Sequence, residues 1–420
     1  MKLKAINGFK DILPEETTRW QQIERISRDI FQRFGLKEIR LPVMEETELF
    51  ARSIGQTTDI VEKEMYTFAD KGITLRPEAT ASLLRAFIEH GLHVQQPVNR
   101  LYTIGPMFRH ERPQKGRLRQ FHQIDAEVIG AVEPLVDAEM MAMGQLLLTE
   151  LGLEASLEIN SLGCPACRPA FRDKLTTYLL EFSEQFCRDC QRRTQKNPLR
   201  VLDCKNPQCR TLVEDAPSIL DFLCSDCEEH FQQVQAALNL LQVKYSLNKF
   251  MVRGLDYYTR TTFEFIAQNL GAQSAVGAGG RYDGLIKDLG GPELPGIGFA
   301  MGIERLVLLM QENNNIDQSL LSATDIYVAA LGEDATRYSS LLVHSLRKSG
   351  IKAAMDYSGR SLKAQMKLAG RLNSRFTLIL GKKELEANTA ILRNMRKQDQ
   401  QNFSLQGDPE NIVNRLKQII

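Results

Sequence analysis

The sequence lacks any long apolar run and carries almost no net charge. No stretch approaches the roughly 20 apolar residues that a membrane-spanning helix needs, and residues 1–12 hold no apolar core flanked by a cleavage site. A net charge of +1 argues against a protein that binds nucleic acid through its overall positive charge. Local basic patches can still bind phosphates. We therefore expect a cytoplasmic protein that is neither secreted nor membrane-inserted.

Internal repeats and low-complexity tracts are absent, and cysteine is absent outside one segment. All eight cysteines fall between Cys164 and Cys227. With 420 residues, 43% of them hydrophobic and 25% charged, the chain suits a globular protein of several domains. The polar stretch from Gln311 to Thr324 is typical of a linker. We expect a body in two parts, 1–160 and 246–322, an inserted, cysteine-rich, mainly helical domain, 161–245, and a C-terminal α/β module, 323–420.

Hydrophobic periodicity predicts the elements of the first part. Residues at helical spacing from Thr17 to Phe34 predict an amphipathic helix that Gly35 ends. Three strands are predicted after it, at Leu36–Val43, Leu101–Met107 and Gln120–Gly130. In the C-terminal module, apolar runs at Ile326–Leu331 and Phe376–Leu380 alternate with helical patterns, which indicates an α/β domain.

The predicted strand 120–130 has one apolar and one polar face. Side chains alternate along a strand, and Ile124, Ala126 and Val128 suit a core. The other face carries Phe121, Gln123, Asp125 and Glu127. A solvated face is the common explanation for such a pattern. The alternative is a phosphate-binding face, because the loop just upstream contains one acid, Glu111, and five basic residues, Arg109, Arg112, Lys115, Arg117 and Arg119.

Two further positions admit a structural and a functional explanation. Glu78 lies just before a predicted helix, where it either stabilises the helix terminus or holds a substrate ammonium. Glycines at 277, 279 and 280 permit a tight turn or a close approach to a ligand, and their spacing does not match a dinucleotide fingerprint. Arg305, near the start of another predicted helix, is either a surface residue or lies against a pocket.

Taken together and in this order, these segments resemble the class II aminoacyl-tRNA synthetases. The first helix, strand and Pro42 are similar to that class's first signature, which forms the dimer interface. The stretch from Phe108 through the basic loop is similar to the second, and 298–309 to the third. More narrowly, 252–261 (VRGLDYYTRT) and 278–284 (AGGRYDG) resemble the two signatures of the histidyl-tRNA synthetase family. The resemblance covers essentially the whole chain.

The resemblance implies an α+β fold with a mixed, mostly antiparallel catalytic sheet, an inserted cysteine-rich domain and a C-terminal α/β anticodon-binding domain. It implies activation of histidine by ATP with Mg²⁺, transfer to its tRNA, and a homodimer. The implied histidine-binding residues are Glu78, Thr80, Gln123, Glu127, Arg253, Tyr257 and Tyr258. The implied ATP-binding residues are Arg109, Glu111, Phe121 and Arg305. Arg253 and Arg109 are the implied catalytic residues, which contact the reacting carboxylate and the α-phosphate.

Three other protein classes compete with this interpretation. The regulatory subunit of ATP phosphoribosyltransferase resembles the catalytic body, but it generally lacks the anticodon module and has degraded signatures. A synthetase for proline or threonine is disfavoured by Glu127 with Tyr257 and Tyr258. A protein that only binds RNA would not need the ATP-binding residues.

The cysteines form four short pairs, Cys164 with Cys167, Cys187 with Cys190, Cys204 with Cys209, and Cys224 with Cys227. The gap from Cys167 to Cys187 suits a zinc ribbon or finger, and a reducing cytosol disfavours disulfides. The pattern predicts one or two structural Zn²⁺ ions, with His230 as a possible substitute ligand. The alternative is that the pairs hold no metal, and the resemblance implies none.

The stretch from Tyr357 to Lys383 contains seven basic residues and no acid. Lys363, Lys367, Arg371 and Arg375 recur every four residues, which would place them on one helix face. A solvated face is the common explanation, but the absence of acids favours a phosphate-binding surface. We expect tRNA to bind there through Lys363, Lys367 and Arg371, and its acceptor end to meet Gln114, Lys115, Arg117 and Arg119.

Overall fold

The structure is a computed structural model that describes residues 3–55, 58, 60–267, 275–313 and 324–419. The chain divides into two compact units, Met1–Asn315 and Ile316–Ile420. The strands of the first unit are β1 Lys37–Glu38, β2 Met44–Glu46, β3 Tyr66–Phe68, β4 Ile73–Leu75, β5 Asn99–Phe108, β6 Gln120–Ile129, β7 Ser156–Ser161, β8 Tyr245–Leu247, β9 Thr259–Ile266, β10 Ala275–Arg281 and β11 Gly296–Gly302.

Helices of the first unit flank these strands. They are α1 Pro14–Arg33, α2 Thr47–Ile54, α3 Thr80–Glu89, α4 Leu92–Gln95, α5 Pro134–Glu150, α6 Arg168–Glu181, α7 Arg188–Lys196, α8 Leu199–Leu202, α9 Pro207–Leu212, α10 Ser225–Leu240, α11 Leu285–Asp288 and α12 Ile303–Glu312. Single turns of π-helix (Ile60–Glu64) and 3₁₀-helix (Ser183–Gln185 and Ile219–Phe222) complete the set.

The main sheet has eight strands in the order β1-β5-β6-β11-β10-β9-β7-β8. Only the outer pairs β1–β5 and β7–β8 are parallel, and all inner pairs are antiparallel. This is the mixed, mostly antiparallel sheet that was expected. A separate sheet joins β2, β4 and β3.

The main core lies between one face of this sheet and the helices α1, α5, α10 and α12. Helix α1 shows how the sequence builds it, because Trp20, Ile23 and Ile30 recur at helical spacing and are all buried. Pro14 occupies its first turn, which has no backbone N–H partner to lose. The predicted helix is confirmed, whereas the predicted strand Leu36–Val43 is wrong in extent, since only Lys37–Glu38 pairs with β5.

Between the cysteine pairs, α6 to α9 surround a hydrophobic cluster of their own that includes Phe171, Leu175 and three cysteine side chains. Of the predicted linker, Gln311 and Glu312 belong to α12, while 314–323 lie outside the described residues.

The second unit is an α/β domain with a five-stranded sheet in the order β13-β12-β14-β15-β16. Its strands are β12 Ile326–Ala330, β13 Ala353–Met355, β14 Phe376–Leu380, β15 Thr389–Asn394 and β16 Gln400–Ser404, and its helices are α13 Glu333–Lys348, α14 Leu362–Arg371, α15 Lys382–Glu386 and α16 Pro409–Lys417. The two predicted apolar runs are β12 and β14, which pair in parallel at the centre of the sheet.

Candidate active site

A pocket of about 300 Å³ opens on the face of the main sheet opposite its helical layer. On β6, Ile124, Ala126 and Val128 pack into the helical core, as the alternation predicted. Asp125 and Glu127 point the other way and line the pocket, where each is 2% exposed. A solvated outer face is therefore the wrong explanation for this strand.

Glu127 forms one end of the pocket. Its carboxylate accepts hydrogen bonds from the hydroxyl of Thr80 and the hydroxyl of Tyr282, each at 2.7 Å. On the neighbouring strand β11, Gly298 pairs with Glu127 of β6. A β-carbon at position 298 would lie 1.6 Å from the Glu127 Oε2 atom. The carboxylate is thus held on both sides, and it occupies the space that a side chain at 298 would need.

Glu78 takes the helix-capping role considered for it and also lines the pocket. Its two carboxylate oxygens accept the backbone N–H groups of Thr80 at 2.7 Å and Ala81 at 2.9 Å, so it caps the first turn of α3. It also lines the pocket near Glu127 and is buried. The helix terminus therefore fixes the carboxylate that faces the cavity.

Burial of three carboxyl groups at this end shifts their pKa values upward. Burial raises the pKa of Glu127 from 4.5 to about 8, against the opposing effect of its two hydroxyl donors. Burial and the charges of Glu127 and Glu78 raise the pKa of Asp125 well above its ordinary value. Burial also raises the pKa of Glu78. Groups of like charge buried this closely favour a ligand that brings N–H donors or positive charge.

The segment before β9 covers this end with aromatic rings. Tyr257 and Tyr258 lie with ring centroids 4.7 Å apart, and the guanidinium of Arg253 lies 5.4 Å from the centre of the Tyr258 ring. Arg253 also forms an ion pair with Glu264 on β9. Arg253 is therefore fixed between the Tyr258 ring and the Glu264 carboxylate.

The opposite end is rich in arginine. Arg109 donates from Nε to the carbonyl oxygen of Pro77 at 2.8 Å, and its guanidinium lies 5.3 Å from the centre of the Phe121 ring. Glu111 pairs with Arg117 across the tight turn of the basic loop. Burial and the like charge of Arg117 lower the pKa of Arg305. Guanidinium groups gathered at this density form a site for a polyanion.

Several buried polar atoms in the pocket have no hydrogen-bond partner within the described part of the chain. They are Oε1 of Gln123, Oδ2 of Asp125 and Nε of Arg253. An unpaired buried polar atom costs about 1–3 kcal/mol. All three residues line the pocket, so these atoms are suited to pair with a polar ligand.

The structure brings together every residue that the resemblance implied for histidine and ATP, and all eleven line this pocket: Glu78, Thr80, Arg109, Glu111, Phe121, Gln123, Glu127, Arg253, Tyr257, Tyr258 and Arg305. Arg117 lines it too, whereas Gln114, Lys115 and Arg119 do not. Lys115 instead forms an exposed ion pair with Glu312 at 2.9 Å.

Several lining residues had no predicted role, and three of them are Asp125, Tyr282 and Glu264. Asp125 stands on the polar face of β6 and Tyr282 stands within the 278–284 signature, so a signal existed for both. Glu264 carried no signal, since a charged residue on a strand is ordinarily a surface residue.

The cysteines form two groups of four, and the pairing differs from the expected one. Cys164 and Cys167 meet Cys224 and Cys227, while Cys187 and Cys190 meet Cys204 and Cys209. The first two pairs, whose spacing suited one zinc ribbon, do not share a group.

His230 is not a substitute metal ligand. Its Nε2 atom lies 2.9 Å from Oδ2 of Asp137, and Asp137 also forms an ion pair with the fully buried Arg281 at 2.5 Å. This buried network ties the start of α10 to the main sheet.

In the second unit, Lys363, Lys367 and Arg371 are exposed on α14, as expected. Arg375 does not continue their row, because the helix ends at Arg371 and Asn373 adopts a positive φ of 47°. Its guanidinium lies 3.7 Å from the carboxylate of Asp325.

Over the described residues, no helix combines the length and the apolar character that crossing a membrane requires.

Comparisons with known proteins agree with this geometry. A family model for histidyl-tRNA synthetase matches residues 8–165 and 209–306, and a model for an anticodon binding domain matches 325–418. Residues 166–208, with four of the eight cysteines, lie outside the matched ranges.

The chain is 61% identical over 401 residues to a histidine–tRNA ligase from Desulfotalea psychrophila, covering 95% of this chain and 93% of that protein. It is 52% identical to one from Syntrophotalea carbinolica, covering 99% of this chain and all of that protein. A crystal structure of apo histidyl-tRNA synthetase from S. aureus superposes with a TM-score of 0.81 at 39% identity, covering 98% of this chain and all of that one. The regulatory-subunit alternative is not favoured by these relatives. The chain belongs to the histidyl-tRNA synthetase family of class II aminoacyl-tRNA synthetases.

Proposed function

We propose that this chain activates L-histidine with ATP to give histidyl-adenylate, and then transfers the histidyl group to the 3′ end of tRNA(His). One observation carries the proposal: a single pocket holds buried carboxyl groups at one end and clustered arginines at the other. Relatives 61% and 52% identical that are named histidine–tRNA ligase support it.

The carboxyl end suits histidine. Glu127, fixed by Thr80 and Tyr282, accepts an imidazole N–H, and Tyr258 lies on the same side. Glu78, Thr80 and Gln123 receive the ammonium group, with Tyr257 closing the site. An amino acid without a matching N–H leaves these buried groups unpaired, which costs about 1–3 kcal/mol for each.

The arginine end suits ATP. Arg109 and Arg305 line the pocket. We propose that Arg109 contacts the α-phosphate and the substrate carboxylate, and that Arg305 contacts the γ-phosphate. Phe121 and Glu111 contact the adenine side. Arg253, between the two ends, contacts both reacting groups.

The reaction needs positioning rather than a general base. The histidine carboxylate is already ionised at neutral pH, and it attacks the α-phosphorus as pyrophosphate leaves. Both reactants are anions, so fixed guanidinium groups of Arg109 and Arg253 neutralise their repulsion before the reaction begins.

ATP and Mg²⁺ are general requirements of this family. The carboxylates of Glu111 and Glu264 lie at the arginine end, and Mg²⁺ is usually held by one or two carboxylates plus substrate phosphates. The residues fit such an ion, which would supply further positive charge to the phosphates. We also propose structural Zn²⁺ at the cysteines, where thiolates offer the ligands that zinc prefers.

Residues 1–160 and 246–322 form the proposed catalytic body, 161–245 the inserted domain and 323–420 the anticodon-binding domain. The exposed side chains of Lys363, Lys367 and Arg371 are suited to tRNA phosphates. Gln114, Lys115, Arg117 and Arg119 are proposed to meet the acceptor end, with Arg117 shared with the ATP site. We further propose a cytoplasmic homodimer, for which sedimentation equilibrium is the test.

The first experiment is the exchange of labelled pyrophosphate into ATP with each of the twenty amino acids singly and without tRNA. Exchange with histidine alone supports the proposal. Exchange with another amino acid contradicts the histidine assignment and keeps the class. No exchange by folded protein that binds ATP favours the regulatory subunit of ATP phosphoribosyltransferase instead.

The transfer step is tested with the double variant Lys363→Ala/Lys367→Ala. We expect its KM for tRNA(His) to rise and the rate of pyrophosphate exchange to stay unchanged. The slope of the logarithm of tRNA affinity against the logarithm of salt concentration should become shallower by about one for each lysine removed. An unchanged KM for tRNA would exclude this surface.

A further inference from the structure

The cysteine-rich segment builds two nested sites rather than two consecutive ones. The outer site joins the first and last pairs, Cys164 and Cys167 with Cys224 and Cys227, and encloses the inner site in sequence. In each site, all four sulfur atoms lie within 4.8 Å of one another. Four cysteine thiolates are one of the ligand sets that bind structural zinc.

Sulfur distances within the sites match a tetrahedral metal. The Sγ atom of Cys164 lies 3.6 Å from that of Cys167 and 3.9 Å from that of Cys224, and Cys187 and Cys204 lie 4.0 Å apart. Zinc–sulfur bonds of about 2.3 Å place tetrahedral sulfur atoms roughly 3.8 Å apart. A disulfide would need about 2.05 Å, and all eight cysteines are free.

Backbone N–H groups also point at the sulfur atoms. The N–H of Cys224 donates to Sγ of Cys167 at 3.1 Å, and the N–H of Cys187 donates to Sγ of Cys209 at 3.3 Å. Such bonds orient and stabilise metal-bound thiolates. Gly163 completes the outer turn at φ +59°, and a β-carbon there would lie 2.7 Å from Cβ of Cys167.

The outer site contacts the segment that carries the pocket tyrosines through Arg168. This residue directly follows Cys167, and its guanidinium donates to the carbonyl oxygens of Leu162, at 3.3 Å, and of Tyr258. The backbone also pairs there, since Gly163 accepts the N–H of Arg260 at 2.9 Å. The outer site therefore adjoins the segment that carries the pocket tyrosines.

The inner site reaches the same segment through Arg200. This residue lies on α8, just before Cys204, and its Nη1 donates to the carbonyl oxygen of Arg253 at 3.2 Å. The two arginines thus hold the backbone of residues 253–258 at its two ends. Between them, Asp256 faces the positive charge of both Arg200 and Arg168.

We propose that two tetrahedral Zn²⁺–thiolate centres lock the cysteine-rich segment into a clamp on residues 253–258. Through Arg168 and Arg200, the clamp positions the tyrosines and Arg253 against the substrate. Arg168 and Arg200 are positioning residues, since neither side chain lines the pocket. What the clamped segment binds rests on the proposed function, whereas the two metal centres do not.

Metal analysis of the full chain, purified under reducing conditions, tests the centres. We expect two equivalents of zinc per chain, and we expect Co²⁺ substitution to give the visible bands of tetrahedral thiolate coordination. Cys164→Ser/Cys224→Ser and Cys187→Ser/Cys204→Ser should each lose one equivalent and keep the other. No retained zinc after reconstitution, or iron in its place, would overturn the assignment.

Arg168→Ala tests the clamp with the metal in place. We expect full zinc content, a KM for histidine raised about tenfold, an ATP KM changed less than twofold, and faster hydrogen exchange in residues 253–258. Arg168→Lys should recover part of the loss. The matched control is Arg172→Ala on the same helix, where the exposed guanidinium donates to the carbonyl of Lys196 on α7 at 3.3 Å rather than to residues 253–258.

Removal of zinc from the unmodified protein with a chelator provides the same test without a variant. Faster exchange in residues 253–258, restored by adding Zn²⁺, supports the clamp. Unchanged exchange there after complete metal loss overturns it. Failure of the proposed function would give a different set of results. The zinc content and the hydrogen exchange of residues 253–258 would be as expected, but no histidine-dependent reaction would occur.

Discussion

The two ends of the pocket bury opposite kinds of charge and handle it differently. At the proposed histidine end, hydroxyl and N–H donors satisfy Glu127 and Glu78, and burial raises the pKa of both carboxyl groups. At the proposed ATP end, Arg109, Arg117 and Arg305 are gathered near one another around Glu111. On the proposed assignment, one end recognises its ligand by the geometry of hydrogen bonds, and the other by an accumulated positive field.

Arg253 joins the two ends, and its removal should have the largest effect. We expect Arg253→Ala to lower kcat for pyrophosphate exchange about 100-fold or more, because it removes a fixed charge at the reacting groups. Single-turnover formation of the adenylate is the measurement. Arg172→Ala is the control, and a loss confined to KM would show that Arg253 only binds substrate.

One substitution at each end of the pocket tests whether the two ends bind their ligands independently. Glu127→Ala should raise the KM for histidine about 10- to 100-fold, since it leaves an imidazole N–H and two buried hydroxyls unpaired. Arg305→Ala should raise the KM for ATP about tenfold and leave the KM for histidine within about twofold. Steady-state exchange kinetics measure both, and an identical pattern in the two variants would refute the division.

The pH dependence of stability isolates the histidine end. The pKa of Glu127 is about 8 in the fold and 4.5 ordinarily, so the folded protein retains a proton that the unfolded chain loses. Its stabilising contribution is complete below pH 4.5 and is lost as pH rises through about 8. We expect the Tm of the ligand-free protein to fall by several degrees from about pH 6 to about pH 9, as the proton is lost.

Glu127→Gln should flatten this slope, and the exposed Glu229→Gln is its control. The variant should keep a residual slope, because Asp125 and Glu78 shift in the same direction. An equal slope in both variants would show that Glu127 is ionised in the folded protein well below neutral pH.

A change in salt concentration should give the smallest difference between the two ends of the pocket. Raising KCl from roughly 0.05 to 0.5 M should increase the KM for ATP a few-fold and the KM for histidine less than about twofold, because screening acts on charge more than on buried hydrogen bonds. Exchange kinetics at fixed pH provide the measurement. Equal sensitivity at both ends would remove the distinction.

Local patterns predicted much of this site. The alternation along residues 120–130 separated Ile124 and Val128 from Glu127, and the two signatures located Arg253 and Tyr258. Contacts between distant parts of the chain were beyond such patterns. Tyr282 reaches Glu127 across 155 residues, and the partner of Cys164 and Cys167 is the last cysteine pair rather than the next.

Two predictions about single elements were wrong in extent, and each error has a local structural cause. Leu36–Val43 alternates well enough for a strand, yet only Lys37–Glu38 pairs with β5, and Pro42 lacks the N–H that a longer ladder would use. The row from Lys363 to Arg375 kept helical spacing beyond the helix, because periodicity does not register the left-handed turn at Asn373.

Gly298 has a consequence for how this specificity can change over time. The Glu127 carboxyl group occupies the space that a β-carbon at position 298 would need. The effect of a substitution at position 298 therefore depends on the residue at position 127. A larger residue at 298 is tolerated only after residue 127 has been shortened, and shortening residue 127 first removes the acceptor for histidine. Any mutational path that places a side chain at 298 therefore passes through an intermediate without the Glu127 carboxyl group that we propose as the acceptor for histidine.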